Sequence, residues 1–464
     1  MPPSISEETP LLQSSKHEEV YKRFKPAQKR LILAIVSVTG LLPLFVAGTF
    51  IPSIPQIAKD LDSSGAIVSL AVSLSIVASS LGSLLGASYS TFYGRKPIYL
   101  VGTPLLVAGS VGVAASRSIP QLMIWRFVQA LGASPGLAVG SGAIGDIYKL
   151  EERGQAMGIF FAAVLLGPAL APLAGGFAAH YFSWRLMQIW LGSTGIIVFF
   201  VVLFFFPETY HPGQRGVDKA DPLSLPSWRP VILNPLRPVW LLRSPNLLFV
   251  TLAGFATLQT DYVLLVPLAY TIGVKYNITN AALIGACFLP CGLGNMIGAP
   301  LAGRLSDKIV IYYRKKRGGE WYPEDRLRAT FIGALFLIPF SVAAAGLLTE
   351  YVPGKLGLTL NLICLFLNGL GVDFVLSPSA AYCVDLMHSR SAEAMAANTG
   401  PRSIIMALTI AGIIPMINKY GVVITNLLSA FVAFIGFFLL WATVRYGERL
   451  RAVVNVGFSV AETN

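Results

Sequence analysis

The chain has 464 residues, of which 54% are apolar and only 12% are charged, and its formal net charge is +12. A soluble domain of this length could not hide so much apolar surface from water. The apolar residues also gather in blocks of roughly 18 to 25, a length that crosses a hydrocarbon core about 30 Å thick. The composition therefore excludes a soluble globular protein and predicts a membrane protein.

The apolar blocks lack the strict alternation that marks the strands of a membrane β-barrel. Because lipid offers no hydrogen bonds to the backbone, each block is predicted to be an α-helix. The predicted spans lie near residues 30–52, 66–90, 98–116, 120–143, 154–178, 184–206, 246–271, 281–302, 329–349, 355–385, 393–418 and 420–445. The predicted fold class is an all-α membrane protein with twelve transmembrane helices.

A proline-rich segment divides the predicted helices into two sets of six. It shows no sustained periodicity, which is typical of a linker. We therefore predict an N-terminal tail, a six-helix bundle, a cytoplasmic linker, a second six-helix bundle and a C-terminal tail. Their ranges are 1–29, 30–206, 207–245, 246–446 and 447–464. This arrangement is typical of duplicated transporters whose substrate site lies between the halves.

The basic residues fall on one side of this topology. Segments on the side of the N-terminus are rich in Lys and Arg, including the run Arg314, Lys315, Lys316 and Arg317, whereas the other side has few. Such loops stay in the cytoplasm, so both termini are predicted to be cytoplasmic. The loop-by-loop distribution argues against nucleic-acid binding and favours contact with anionic membrane lipid.

Residues that build metal sites and catalytic centres do not cluster. The cysteines lie within predicted spans and are expected to be small buried apolar residues, and the histidines lie in the N-terminal tail or near loops. No phosphate-binding Gly-x-x-x-x-Gly-Lys-Ser/Thr stretch occurs. These residues are Cys287, Cys291, Cys364, Cys383, His17, His180, His211 and His388. The sequence argues against an enzyme, a metal site and a bound cofactor.

Two loops, after spans 2 and 8, carry glycine and basic residues in a related pattern. Glycine permits a tight turn, and a carboxylate can accept from helix N-terminal amides and pair with basic side chains. The loops are therefore predicted to act as gates that latch the halves together on the cytoplasmic side. Their residues are Gly94, Arg95, Lys96, Gly303, Arg304, Asp307 and Lys308. Asp146, near the inner end of span 4, is interpreted as a structural residue that could pair with loop cations, and Glu208 is interpreted as a structural residue at the end of span 6.

Ionisable residues deep in the spans indicate the substrate site. They are Arg126 in span 4, Asp261 in span 7, Asp373 in span 10 and Arg402 in the inner half of span 11. A charge at such depth costs roughly 3 kcal/mol unless a partner or water relieves it, so it is often functional. Arg126 could hold an anionic group of the substrate or bias a nearby carboxylate; the alternative is an arginine that reaches the outer interface. Asp261 and Asp373 are candidate proton carriers, the alternative being static polar contacts.

Span 5 presents small residues at a four-residue spacing. Gly167, Ala171 and Gly175 share one helical face, which lets a neighbouring helix approach closely. Pro168 and Gly176 belong to the same stretch, and span 8 offers a similar face. Smooth faces would let one bundle rock against the other, whereas simple tight packing is the competing interpretation.

These motifs resemble those of the major facilitator superfamily, in particular the fungal branch of twelve-span drug:proton antiporters. The likeness extends from Lys29 to Arg451 and includes Arg126 and Gln129 in an Arg-x-x-Gln-x-x-Gly pattern. It also includes the two loops and the glycine-proline stretch of span 5. The resemblance implies two pseudo-symmetric six-helix bundles, with spans 1, 4, 7 and 10 lining a central cavity.

The sequence departs from the pattern of this family at two positions. Thr91 stands where the first loop usually has Asp, and Ala171 stands where the span 5 motif usually has Gly. The missing carboxylate is expected to weaken the latch on the cytoplasmic side. The resemblance therefore leaves the conformational balance of this protein open.

The function implied by the resemblance is export driven by the proton gradient, without a cofactor. The two buried arginines favour a small organic acid or acidic secondary metabolite, whereas the two aspartates equally permit a cationic drug or a polyamine. A non-transporting sensor of the same fold is a further alternative. A monomer in the cell membrane is expected, although an acidic dileucine pattern at residues 7–12 would favour the vacuolar membrane.

Overall fold

A computed structural model describes residues 23–148, 150–211, 213, 215–219, 237–320, 322–387 and 391–454. Residues 1–22 of the predicted N-terminal tail, with the dileucine pattern, lie outside this part. So do residues 220–236 of the predicted linker and residues 455–464 of the predicted C-terminal tail. The described part contains helices and no strand.

Within these ranges the chain forms twelve long helices. In chain order they are α1 (Pro26–Phe50), α2 (Gly65–Tyr93), α3 (Arg95–Ala115), α4 (Ile119–Ile147), α5 (Leu150–Tyr181), α6 (Trp184–Phe205), α7 (Pro245–Leu265), α8 (Ala281–Lys316), α9 (Pro323–Tyr351), α10 (Gly354–Leu386), α11 (391–420) and α12 (422–453). The side where α1 begins is called the terminal side below, and the other is called the far side.

The last two helices join almost without a loop. Residues Ser391–Val453 form a helical stretch of 63 residues, interrupted only at Gly421, which has a φ of 84°. An unbroken helix of that length would measure about 95 Å, far more than one membrane crossing needs. The left-handed backbone at Gly421 reverses the chain direction, close to the break expected after residue 418.

Each set of six helices has its own core. Val36, Tyr99 and Phe206 belong to the core of α1–α6, and Tyr382 and Leu440 belong to the core of α7–α12. Large apolar side chains also cover the outer faces, where a soluble protein would present polar residues; Phe204 is 71% exposed and Leu408 is 73% exposed. The predicted all-α membrane fold is confirmed.

The bundles pack against each other on the far side. Phe50 and Leu122 of the first bundle join Val266, Ile410 and Ile413 of the second in one buried apolar cluster. The ion pairs described on the terminal side, by contrast, each connect residues of a single bundle. The described conformation is therefore held closed at the far side.

Helices α5 and α8 pack closely against each other across the interface between the bundles. Gly292 lies directly against the backbone of Ala169, and a methyl group on Gly285 would lie 2.5 Å from the carbonyl oxygen of Pro172. Only glycine leaves room for this contact. Two small-residue faces thus meet at the interface between the bundles.

The small-residue face predicted on span 5 is not the face of α5 that contacts the other bundle. Gly167 and Gly175 pack against α1 of their own bundle, at Leu44 and Thr49. Of the predicted motif, Gly176 is the glycine that reaches α8. A four-residue spacing predicts a smooth face but does not specify its neighbour, so the sequence could not distinguish contacts within a bundle from those between bundles.

Candidate functional site

Arg126 is a cation buried inside the first bundle. It lies seven residues into α4, roughly 10 Å from the far-side end of that helix, and its side chain is 0% exposed. Its Nη1 donates to Gln129 Oε1 at 2.7 Å and to the carbonyl oxygen of Val46 at 3.3 Å. The guanidinium carbon lies 4.2 Å from the ring centre of Phe50. The side chain does not reach the outer interface, so that alternative is excluded.

Two nitrogen atoms of Arg126 remain available. Nε and Nη2 are buried and have no hydrogen-bond partner in the described part of the chain. No described carboxylate forms an ion pair with this guanidinium. Burying a charge without a partner is costly, which makes the position a candidate ligand site.

Gln129 fixes the orientation of Arg126. Its Nε2 donates to Ser110 Oγ on α3 and to Gln188 Oε1 on α6, both at 2.9 Å. These two contacts leave Oε1 of Gln129 to accept from Arg126. Sequence analysis identified Arg126 and Gln129 but missed Ser110 and Gln188, because single polar residues in apolar helices carry no recognisable spacing.

Asp261 is the centre of a second polar group, in the second bundle. It lies on α7, is 7% exposed, and its Oδ1 accepts from Asn368 Nδ2 at 2.7 Å. The thiol of Cys291 on α8 lies 3.5 Å from the same oxygen. The amide oxygen of Asn368 lies 3.2 Å from the hydroxyl of Ser341 on α9. Four consecutive helices, α7 to α10, thus meet around one carboxylate.

Asp373 lies close to this group. It is half-buried on α10, and a methyl group on Gly298 of α8 would lie 3.2 Å from its Cβ. Its charge interacts with that of Asp261. No hydrogen bond from a described residue reaches its carboxylate. The structure therefore brings the two predicted aspartates together, while the described partners of Arg126 all belong to the first bundle.

Arg402 is the cation of the second bundle. It lies on α11, and a methyl group on Gly254 of α7 would lie 3.2 Å from its Nη1. Tyr262 and Cys383 are close enough to interact with its charge. Its Nε is buried without a partner among the described residues. In the described part of the chain, Arg126 of the first bundle and Arg402 of the second thus both have unused hydrogen-bonding capacity.

The first predicted gate is a tight turn on the terminal side. Arg95 Nε pairs with Asp146 Oδ2 of α4 at 3.0 Å, and its Nη1 donates to Ser90 Oγ at 2.7 Å. Thr91, where the related family has Asp, donates back to the carbonyl of Ala87. Asp146 therefore supplies the carboxylate that pairs with the basic side chain of this turn.

Glu208 caps the start of α3. Its Oε1 accepts from the backbone N–H of Arg95 at 2.9 Å, and its Oε2 accepts from that of Lys96 at 3.1 Å. Gly94 has a φ of 105°, and any Cβ there would collide with this carboxylate. A negative charge at a helix N-terminus also interacts favourably with the helix dipole. Sequence analysis underestimated Glu208, because 112 residues separate it from Lys96.

The second predicted gate is not a loop. Gly303, Arg304, Asp307 and Lys308 lie within α8, which continues to Lys316 instead of ending near residue 302. The polar residues of this stretch suggested a loop, but basic residues in the last turn favour a helix C-terminus.

Asp307 makes its contact inside its own bundle. Arg326 at the start of α9 bonds Asp307 at 2.7 Å through Nη1 and Asp385 of α10 at 2.6 Å through Nε. Arg326 and Asp385 thus repeat, in the second bundle, the pairing of Arg95 with Asp146. In this conformation the described contacts of both motifs stay within one bundle, so the latch between the halves stays a prediction.

Comparison with known proteins agrees with this architecture. The sequence profile of the Major Facilitator Superfamily matches residues 36–410. The chain belongs to this superfamily. It is a multi-pass membrane transporter and not an enzyme.

Several fungal transporters are similar to this protein over most of their length. Efflux pump radE of Floropilus chiversii is 27% identical, covering 93% of this chain and 82% of radE. MFS-type transporter atr4 of Stereocaulon alpinum is 30% identical, covering 90% of this chain and 78% of atr4. MFS transporter fsa7 of a Fusarium species is 29% identical, covering 91% of this chain and 85% of fsa7.

Proposed function

We propose that this transporter exports a small organic acid or acidic secondary metabolite by proton-coupled alternating access. The observation that carries the proposal is the unused hydrogen-bonding edge of Arg126. Nε and Nη2 form one side of the planar guanidinium, the side that binds a carboxylate through two parallel hydrogen bonds. Because neither atom has a described partner, a substrate carboxylate would satisfy both at once.

Export is the proposed direction, and three observations support it. The basic residues of the terminal side favour its placement in the cytoplasm, which puts both termini there. The packing at the far side supports a state that loads substrate from the cytoplasm. The printed name of radE, an efflux pump, is also consistent with export, and the cell membrane is the simplest location.

The coupling ion is proposed to be the proton. Asp261 and Asp373 lie near each other in the second bundle, and no described cation forms an ion pair with either. Carboxylates in such surroundings can bind and release protons as access alternates. A potential of 100 mV supplies about 2.3 kcal/mol for each charge moved, so no bound cofactor is required.

The same two aspartates favour a second candidate, a proton antiporter for cationic drugs or polyamines. An amine would pair with Asp261 or Asp373, and Arg126 would then have only a structural role. The two candidates differ in which charged group is essential for recognition. They also differ in the charge of the exported molecule.

The proposal is tested by comparing secreted metabolites. Cells lacking the native gene are given the wild type, Arg126→Gln, or the control Arg185→Gln, which removes an exposed pair with Asp60. Membrane levels of each variant are measured by immunoblot. We expect an acidic compound to accumulate in the medium with the wild type and the control, but not with Arg126→Gln. Equal secretion by all three strains would refute the role of Arg126.

A further inference from the structure

Two buried amides lie on neighbouring helices of the second bundle, one bonded to Asp261 and the other with an oxygen that has no described partner. Asn368 presents its NH2 group to Asp261 at 2.7 Å. An ionised carboxylate has no proton to donate, so this arrangement suits Asp261 in its charged form. The neighbouring Ser341 hydroxyl, 3.2 Å from the other end of the amide, helps to hold that orientation.

Asn295 presents an oxygen instead. Its side chain is only 9% exposed, and its Oδ1 has no hydrogen-bond partner among the described residues. Buried amide oxygens are normally satisfied, so an unsatisfied one needs an explanation. A donor that is present in only part of a transport cycle would provide it.

The position of Asn295 indicates a candidate donor. On α8 it lies one turn after Cys291, which contacts Asp261, and one turn before Gly298, which touches Asp373. Its Oδ1 is directed at α10, 2.9 Å from where a methyl group on Gly369 would lie. Gly369 precedes Asp373 by one helical turn. The oxygen of Asn295 thus lies one helical turn along α10 from Asp373, which makes a protonated carboxyl group at Asp373 the candidate donor.

The other titratable groups nearby do not supply the missing donor. The thiol of Cys291 is directed at Asp261. Tyr262 on α7 and Cys383 on α10 each lie close enough to Arg402 on α11 to interact with its charge, and Tyr262 also lies close to Asp261. Helix α9 contributes the uncharged Ser341, and α5 contributes backbone packing at Ala169.

We propose that Asp373 carries the coupled proton and that Asn295 accepts the hydrogen bond of its protonated carboxyl group. Asn368 meanwhile keeps Asp261 as an ionised carboxylate. Asp373 takes up one proton from water on one side of the membrane, and its new O–H donates to Asn295 Oδ1. Release on the other side restores the carboxylate, so one proton crosses in each cycle. This assignment rests on the proposed proton coupling and names the residues that perform it.

The test measures protonation directly and needs no substrate. Infrared spectra of the purified full-length protein in lipid nanodiscs are recorded against pH, and the carbonyl band of protonated Asp373 is identified by its loss in Asp373→Asn. The side chains introduced by Asn295→Val and Asn295→Thr have nearly the same shape as each other. Only the threonine has an oxygen that can accept a hydrogen bond. Asn426→Val is the control, since Asn426 is buried in the same bundle and donates to the carbonyl of Val342.

Asn295→Val removes a partner of the protonated form. The pH at which the band is half developed is therefore expected to fall by about one unit, the size of one hydrogen bond. Asn295→Thr and Asn426→Val are expected to titrate like the wild type. Equal titration of Asn295→Val and the wild type, or equal shifts in the valine and threonine variants, would overturn the proposal.

A second variant covers the case in which Asn295→Val does not accumulate. Asn368→Val removes a donor to ionised Asp261, so the carbonyl band of Asp261 should appear at a pH about one unit higher. The proposal is overturned if the Asp261 band appears at the same pH as in the wild type. It is also overturned if the band assigned to Asp373 persists in Asp373→Asn. If these titrations behave as expected but no pH gradient drives transport, the proposed function fails while the assignment of the amides stands.

Discussion

Glu208, which follows α6, holds the first turn of α3 by accepting from the backbone N–H of Arg95 at 2.9 Å. The second bundle places a carboxylate at the equivalent helix start, where Glu324 of α9 bonds Arg451 of α12 at 2.8 Å. In both bundles the end of the sixth helix is thus tied to the start of the third. The chemistry is inverted, because the carboxylate lies after the sixth helix in one bundle and on the third in the other.

Glu208→Ala should destabilise the first bundle. It removes a helix cap and a favourable charge at a helix N-terminus, a loss of about 1–2 kcal/mol. Thermal unfolding of the detergent-purified protein measures the effect. Glu350→Ala, at an exposed position on the far side, serves as the control and should unfold like the wild type. An unchanged unfolding temperature for Glu208→Ala would show that the cap contributes little.

Gly292→Ala should disturb the closure of the far side. Its methyl group would collide with the backbone of Ala169 on the other bundle, whereas Gly303→Ala has no neighbour within 4 Å. We expect the distance between spin labels at Lys59→Cys and Thr279→Cys to broaden towards longer values in Gly292→Ala alone. Identical distance distributions in the two alanine variants would contradict the described interface.

The orientation in the membrane can be tested by cysteine labelling. In a background without native cysteines, Arg314→Cys lies on the terminal side and Lys355→Cys on the far side, and both positions are exposed. A membrane-impermeant maleimide applied to intact cells should label Lys355→Cys, while Arg314→Cys should react only after permeabilisation. The opposite pattern would place the termini outside and reverse the proposed direction of transport.

Arg126→Leu should lose transport without losing stability. The variant removes a buried charge that has no described ion-pair partner, so its unfolding temperature should equal or exceed that of the wild type. Losing the two hydrogen bonds to a substrate carboxylate should weaken substrate binding about 100-fold. Binding of the secreted metabolite, measured by calorimetry, gives the second quantity. A strong fall in stability would instead assign Arg126 a structural role.

The sequence alone was sufficient to predict the helices and the charged residues of the candidate site. Hydropathy predicts the spans because lipid imposes one length and one backbone structure on all of them. Arg126, Asp261, Asp373 and Arg402 are recognisable because charges are rare at such depth. None of these signals depends on knowing which helices are neighbours.

The remaining features depend on tertiary contacts. The roles proposed for Asn295 and Asn368 depend on the helices that they contact, and no spacing in the sequence marks these residues. Gly167 and Gly292 look equally suited to an interface, yet the former packs within its bundle and the latter between bundles. The stretch from Gly303 to Lys308 reads as a loop because it is polar, although a helix can extend beyond the membrane surface into water.

The central claim, proton-driven export of an organic anion held by Arg126, is most directly tested in proteoliposomes. Vesicles with an acidic lumen are incubated with the acidic fraction of the culture medium, and their contents are identified by mass spectrometry. A weak acid that crosses the bilayer unaided collects on the alkaline side, so its accumulation in the acidic lumen requires exchange for protons. We expect such accumulation with the wild type and Arg185→Gln, its loss with Arg126→Gln, and its collapse when the gradient is dissipated. Accumulation that persists without the gradient, or that is equal in Arg126→Gln, would contradict the claim.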